Sequence, residues 1–290
     1  MSKLSGLEDS TRPTIINFMP SVRLFFIAML ARTYPRVAWL FRSRTWLVQE
    51  TLLPVLSVAA FAYSYEWMQA PKEFVGFVIL GAAMTTFWMN VLWSMGAHLY
   101  WERDSGNLEL YIMAPAPMMG ILAGMALGGM TTTVVRAVAI LTAGVLIFHV
   151  PIQPSSWWLL VLVFLLTMVA LYGLGMMFAS LFLLWGREAW HTVNLLQEPV
   201  FLLTGMSFPL TVFERLLPKI VVGTILLIPL ACGMDAMRQV LFRAEGVLPI
   251  GWEIAMLAAM GIVFVSLAQR TLALLEWKAK TEGRLTIRWQ

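Results

Sequence analysis

Leu210–Cys232 reads LTVFERLLPKIVVGTILLIPLAC, and the number of membrane crossings in this chain turns on it. The stretch is apolar, yet Pro209, Pro218 and Pro229 interrupt it. The piece from Ile220 to Leu230 would rise only about 16 Å as a helix, too short for a hydrocarbon core of about 30 Å. The reading is therefore a helical hairpin, over about 210–232, that dips into the outer leaflet and returns. Irregular backbone of that sort is tolerated at membrane depth where protein buries it.

Composition places the rest of the chain in the same solvent. Of 290 residues, 60% are hydrophobic and 12% charged. A soluble domain carries about 25% charged residues, so lipid must cover much of this surface. The net charge of +4 does not point to nucleic acid, because the basic residues flank apolar segments. The one cysteine, Cys232, excludes an intrachain disulfide and a Cys-based zinc site and reads as a small apolar filler. The first 20 residues lack the apolar core of a signal peptide, so insertion is expected to rely on the spans.

Outward from the deciding stretch, the expected fold is an all-α polytopic membrane protein with six transmembrane helices and a re-entrant hairpin between spans five and six. Residues 1–20 read as a cytoplasmic tail. In 21–45, arginines alternate with Leu, Phe and Trp, as in a cytoplasmic amphipathic helix lying among headgroups, with Pro35 as a break or kink. The transmembrane domain occupies 46–273. Its spans are about Trp46–Tyr65, Phe74–Tyr100, Met118–Phe148, Trp157–Trp185, Ala189–Phe208 and Gly251–Ala273. Asp235–Glu245 reads as a polar connection, and 274–290 as a basic cytoplasmic tail. Both ends inside puts 14 of the 20 Lys and Arg on the cytoplasmic side, five outside and Arg136 within a span. That split obeys the positive-inside rule. A seven-span chain would put the basic C-terminal tail outside.

Motifs narrow the function mostly by exclusion. No Gly-Lys dipeptide occurs, so there is no GxxxxGK[ST] phosphate loop. His98, His149 and His191 fall in different segments and do not suggest a metal site, and no catalytic residue set can be assembled. Gly120, Gly124 and Gly128 form a flat stripe that lets another helix approach closely, either within the subunit or across a dimer.

Arg136 and Glu198 are the unusual residues. They lie roughly 18 and 15 Å from the outer ends of their spans at 1.5 Å per residue. An isolated charge at such depth costs about 2.5–3.5 kcal/mol, so they are expected to pair, face one polar cavity, or be satisfied separately. Thr85, Thr86, Asn90, Asn194 and Gln197 are further intramembrane polar groups that could hold helices together or line a path. The many methionines and tryptophans read as gap fillers and interfacial anchors.

The segment after the second span, Glu102-Arg103-Asp104-Ser-Gly106-Asn107-Leu108-Glu109 with Leu110 and Pro115 beyond, is the densest charge cluster between spans. It resembles the cytoplasmic Glu…Gly-Thr-Leu-Glu…Leu…Pro signature of the permease subunits of ABC-2 type ABC transporters, with Asn107 where Thr is usual. Pro199…Thr204-Gly205…Phe208-Pro209…Pro218…Pro229-Leu230…Asp235…Arg238 resembles that family's fifth span and outer re-entrant helices. The resemblance covers nearly the whole chain from about residue 21.

The resemblance implies six spans per subunit, a dimer (a homodimer first), and residence in the cell (inner) membrane. It implies a separate ABC ATPase docked on the cytoplasmic side. ATP and Mg would be bound there, with no cofactor in this chain and no enzyme activity of its own. Glu102, Arg103, Asp104, Gly106, Leu108 and Glu109 would then couple to the ATPase together with the amphipathic helix. The second and fifth spans would line a path for a hydrophobic drug-like or lipid-like substrate, with a polysaccharide or glycolipid as the alternative. An ion-driven secondary transporter is the competing class, favoured only by Glu198. An embedded enzyme or scaffold is a third.

Overall fold

The computed structural model describes residues 22–96, 98–185, 189–206 and 208–282. The expected tail 1–20 and the end of the basic tail, 283–290, lie outside the described residues. The described residues are helical, without strands.

The element order is α1 (Val22–Arg42), α2 (Arg44–Trp67), α3 (Lys72–Met89), a π-helical segment (Asn90–Gly96), α4 (His98–Asp104), α5 (Asn107–Met113), α6 (Met118–Phe148) and α7 (Trp157–Trp185). Then come α8 (Ala189–Leu203), α9 (Thr211–Leu216), α10 (Lys219–Ile225), α11 (Pro229–Phe242) and α12 (Ile250–Glu282). Four stretches are long and apolar enough to cross a membrane: Lys72–Arg103, Met118–Phe148, Trp157–Leu181 and Ile250–Leu275. A fifth is added if α10 and α11, bent by 99°, count as one broken span. Such helices are apolar on every side, which suits lipid or a buried centre and not a water-exposed face.

Lys72–Arg103 is the centre of the bundle, with 94% of its apolar window buried, against 22% for Ile250–Leu275. Helices α2, α6 and α11 pack on α3, while α7 packs on the π-helical segment and carries α12 on its other side. Phe87, Trp88, Leu92 and Met95 fill the middle of that core. α12 turns Ile262 and Val263 outward, 70% and 56% exposed, as a lipid-facing helix does.

Several boundaries differ from the sequence reading. α8 stops at Leu203, not Phe208, because Gly205 turns the chain at φ 63°. α11 runs unbroken through the expected polar connection as far as Phe242: Asp235 and Arg238 are each 1% exposed, on a helix that Pro229 begins. Periodic apolar neighbours, not the charges, set its environment. α12 continues to Glu282, nine residues past the expected end of the last span. Pro35 sits inside an unbroken α1, and the chain is interrupted at Ser43 instead.

α1 lies along the first part of α6, in the groove made by the glycine stripe. A Cβ at Gly120 would stand 2.9 Å from the Phe25 carbonyl oxygen, and one at Gly128 3.0 Å from Arg36 Cδ. One at Gly124 would collide with the Met29 carbonyl. The stripe is thus used within the chain. Since Phe25 meets Gly120 and Arg36 meets Gly128, the two helices run in the same direction.

Candidate functional site

Two arrangements are built where α1 meets the central helix. The first is a polar knot around Glu102. Arg32 reaches from α1 to Glu102 on α4 in an ion pair, and also donates to His98 Nε2 at 2.8 Å. The other Glu102 oxygen accepts from Asn107 Nδ2 at 2.8 Å. The Arg32 guanidinium stands 5.3 Å from the centre of the Tyr111 ring on α5. Burial raises the Tyr111 phenol above its usual pKa. One carboxylate thereby ties α1, α4 and α5 together. Gly106, at φ 77°, supplies the left-handed turn between α4 and α5, and no atom lies within 4 Å of where its Cβ would be.

This knot redistributes the residues singled out between 102 and 109. Glu102 is 8% exposed and Leu108 1%, so both face inward. Arg103 is half-buried, and the side chains of Asp104 and Glu109 lie outside the described residues. Among the described side chains this segment exposes large apolar ones: Trp101, Leu110 and Met113 are 39%, 60% and 73% exposed. The helical spacing of Leu110 and Met113 was the sequence signal for these exposed apolar side chains, which the charge cluster overshadowed.

The second arrangement is a cleft of about 590 Å³. Arg36 and Trp39 of α1 form one wall, and Thr132 and Arg136 of α6 another. The central helix supplies Met89, Asn90, Trp93 and Ser94, and α4 adds Trp101. Asn90, Trp93 and Ser94 come from the π-helical turn. A wider turn displaces side chains from α-helical register, and π-bulges recur at functional sites. Asn90 is 7% exposed, and its Oδ1 accepts from the Tyr172 hydroxyl at 3.0 Å. Trp93 Nε1 donates to Gln197 of α8 at 3.0 Å. Arg36 donates to the carbonyls of Ser94 and Met125, each at 3.1 Å. Burial, then neighbouring Arg32, lowers the Arg36 guanidinium from its usual pKa. It remains charged, as arginine does in proteins.

A smaller cleft of about 360 Å³ shares Met89 and Arg136 with the first. Thr85 and Thr86 line it with Leu53, Pro54 and Met206. Both threonine hydroxyls donate to carbonyls of their own helix, those of Gly81 and Ala83. They bring polarity to the wall without leaving an unsatisfied donor in the membrane.

Arg136, Asn90, Thr85 and Thr86 are therefore brought together. Asn194 and Glu198 are not part of either cleft. Glu198 is exposed on α8 and accepts from Gln197, and α8 packs on α7 and the π-helical segment. The placement brings Arg136 toward the clefts, and Glu198 toward Gln197.

The outer candidates form a scaffold. Arg238 donates to the carbonyls of Phe208 at 3.1 Å and of Gly205, Met206 and Phe77, pinning the turn after α8 to the central helix. Asp235 Oδ2 accepts from the Val247 amide at 2.8 Å. Pro209 lies in the turn that Arg238 holds, while Pro218 and Pro229 begin α10 and α11. No group of three His, Cys, Asp or Glu able to hold a metal occurs among the described residues.

The architecture is that of an all-helical chain compatible with a membrane. No protein-family model matches the chain, and no curated protein is significantly similar to it.

Proposed function

We propose that this chain is the transmembrane subunit of an ATP-driven exporter of the ABC-2 kind. It moves a hydrophobic drug-like or lipid-like substrate between two permease subunits. A separate ATPase subunit binds ATP and Mg and supplies the work. The observation that carries this reading is the Glu102 knot. The two elements that the resemblance assigns to coupling, the N-terminal helix and the segment after the second span, are bonded to each other through Arg32, Glu102 and Asn107. A push on α5 would reach α1, and through the glycine stripe α6, without passing through lipid. Leu110 and Met113 are the exposed apolar side chains that a docked ATPase would cover.

In this reading the six crossings are α2, Lys72–Arg103, α6, α7, α8 and α12, with both ends cytoplasmic in the cell membrane. α8 rises only about 22 Å, and the bent α10–α11 pair fills the remaining outer depth. The permease pairs with a second copy of itself.

The test is co-purification with an ABC ATPase encoded beside it, followed by ATPase assays in nanodiscs. Wild type should retain a stoichiometric ATPase, and a Leu110→Asp, Met113→Asp double variant should lose it while melting like wild type. Equal recovery from both would sink the docking surface; no ATPase with wild type would sink the function.

A further inference from the structure

The cleft beside Arg36 holds a guanidinium to which no carboxylate is bonded among the described residues. Two arginines of α1 approach the central helix, and one carboxylate, Glu102, stands near them. Glu102 is bonded to Arg32 and Asn107. His98 Nε2 belongs to the same knot, 2.8 Å from Arg32 and 2.9 Å from Glu102 Oε1. The other described carboxylate of this region, Glu198, is bonded to Gln197. Arg36 is left with two neutral carbonyls. A largely buried guanidinium whose direct contacts are carbonyls, with Glu102 acting on it only from a distance, is costly, and an entering anion would lower that cost.

The surroundings of that charge are aromatic. Trp39, Trp93 and Trp101 line the same space, with Asn90, Ser94 and Thr132 as small polar contacts. The volume of about 590 Å³ lies in the range of organic ligand sites. The adjoining cleft, which shares Met89 and Arg136 with the first, is otherwise lined by apolar residues and by Ser57, Thr85 and Thr86, whose hydroxyls are bonded to their own helices. A charged head and an apolar body thus have separate places in line.

We infer that this cleft binds the anionic head of an amphipathic organic molecule at Arg36, with its apolar body among the tryptophans and toward Met89. This names the substrate class of the transport path and rests on the export reading for transport, though not for binding. The shared chemistry is a carboxylate, sulfonate or phosphate on an apolar body, whether from a soluble amphiphile or an anionic lipid.

The probe pair is anilinonaphthalene sulfonate and its neutral counterpart N-phenylnaphthylamine. Each is titrated into the full chain in phosphatidylcholine nanodiscs and read by energy transfer from tryptophan. Wild type should give a saturable sulfonate signal. Arg36→Gln should weaken it about tenfold or more, as loss of one charge-assisted contact does. Arg36→Lys should keep most of it, and the neutral probe should respond alike in all three. If Arg36→Gln does not fold, Thr132→Trp, which fills the cleft from α6 without touching the charge, should also cut the sulfonate signal. Sulfonate binding indifferent to these variants, or lost in parallel with the neutral probe, would overturn the inference.

Competition identifies the source. Displacement by phosphatidylglycerol in the disc assigns a lipid head, and displacement only by an alkyl sulfonate assigns a soluble amphiphile. Displacement by neither overturns the site. Charge-selective binding without ATP-driven transport would leave the cleft standing and remove the export reading. Transport without charge selectivity would do the reverse.

Discussion

Substituting Gly124 tests how α1 is held. A Cβ there would collide with the Met29 carbonyl and stand 2.9 Å from Arg32 Cβ and 3.1 Å from the Met29 carbonyl carbon. All three are backbone or backbone-proximal atoms, so no rotamer change relieves the overlap, and α1 must move away from α6. Overpacking of this sort costs about 1–3 kcal/mol. The intrinsic preference of a helix for Ala over Gly returns about 1 kcal/mol. Gly124→Ala should therefore be destabilising by up to about 2 kcal/mol. Gly223→Ala is the control: it sits in α10 with no atom within 4 Å of its Cβ, so only the helix preference acts. Tryptophan-fluorescence melts in one detergent should place Gly124→Ala below wild type and Gly223→Ala at or above it. The Arg32 stem is among the atoms displaced, so Gly124→Leu should in addition weaken the Glu102 knot. If Gly124→Ala melts together with Gly223→Ala, α1 does not occupy the stripe.

Other substitutions probe the remaining contacts. Arg32→Ala and Glu102→Ala, with side chains 27% and 10% exposed, should each destabilise, and the double variant should recover part of the summed loss. A coupling of about 1 kcal/mol is expected from a partly exposed pair, and additive losses would dissolve the knot. Arg238→Lys keeps the charge but cannot span the carbonyls on both sides of Gly205, so its melting point should fall by the equivalent of about 2 kcal/mol. Gly205→Ala meets both a left-handed φ and the Phe208 carbonyl at 2.6 Å, whereas Gly106→Ala meets only the φ; the first should cost more than the second, which costs about 1 kcal/mol. Tyr172→Phe removes the donor to buried Asn90 and should lower stability by about 1 kcal/mol, read in the same melts.

The spans α6 and α7 could be read from the sequence to the residue, because uninterrupted apolar length is the strongest signal a chain carries. The glycine stripe was legible as a packing surface, but not its occupant, since α1 is distant in sequence and shows only its amphipathic pattern. Asp235 and Arg238 misled because a charged pair reads as a loop. Burial became possible only when backbone carbonyls at Gly205 and Phe208, distant in the chain, turned toward the guanidinium. The approach of Arg36 to Arg136 was also hidden. Nor do the residues NVLWSMG give a periodic cue to the π-helical turn at Asn90–Gly96 that lines the same cleft. Glu198, isolated in a one-dimensional view, is exposed on α8 and bonded to its neighbour Gln197.

The central claim is that ATP hydrolysed by a partner chain drives this subunit. Its most direct test is uptake of a fluorescent amphipathic sulfonate into inside-out proteoliposomes holding this chain and an ATPase that co-purifies with it. The expected result is uptake that needs ATP, Mg and both chains, and that falls with Leu110→Asp, Met113→Asp. Uptake by this chain alone under an ion gradient, indifferent to ATP and to the ATPase, would contradict it.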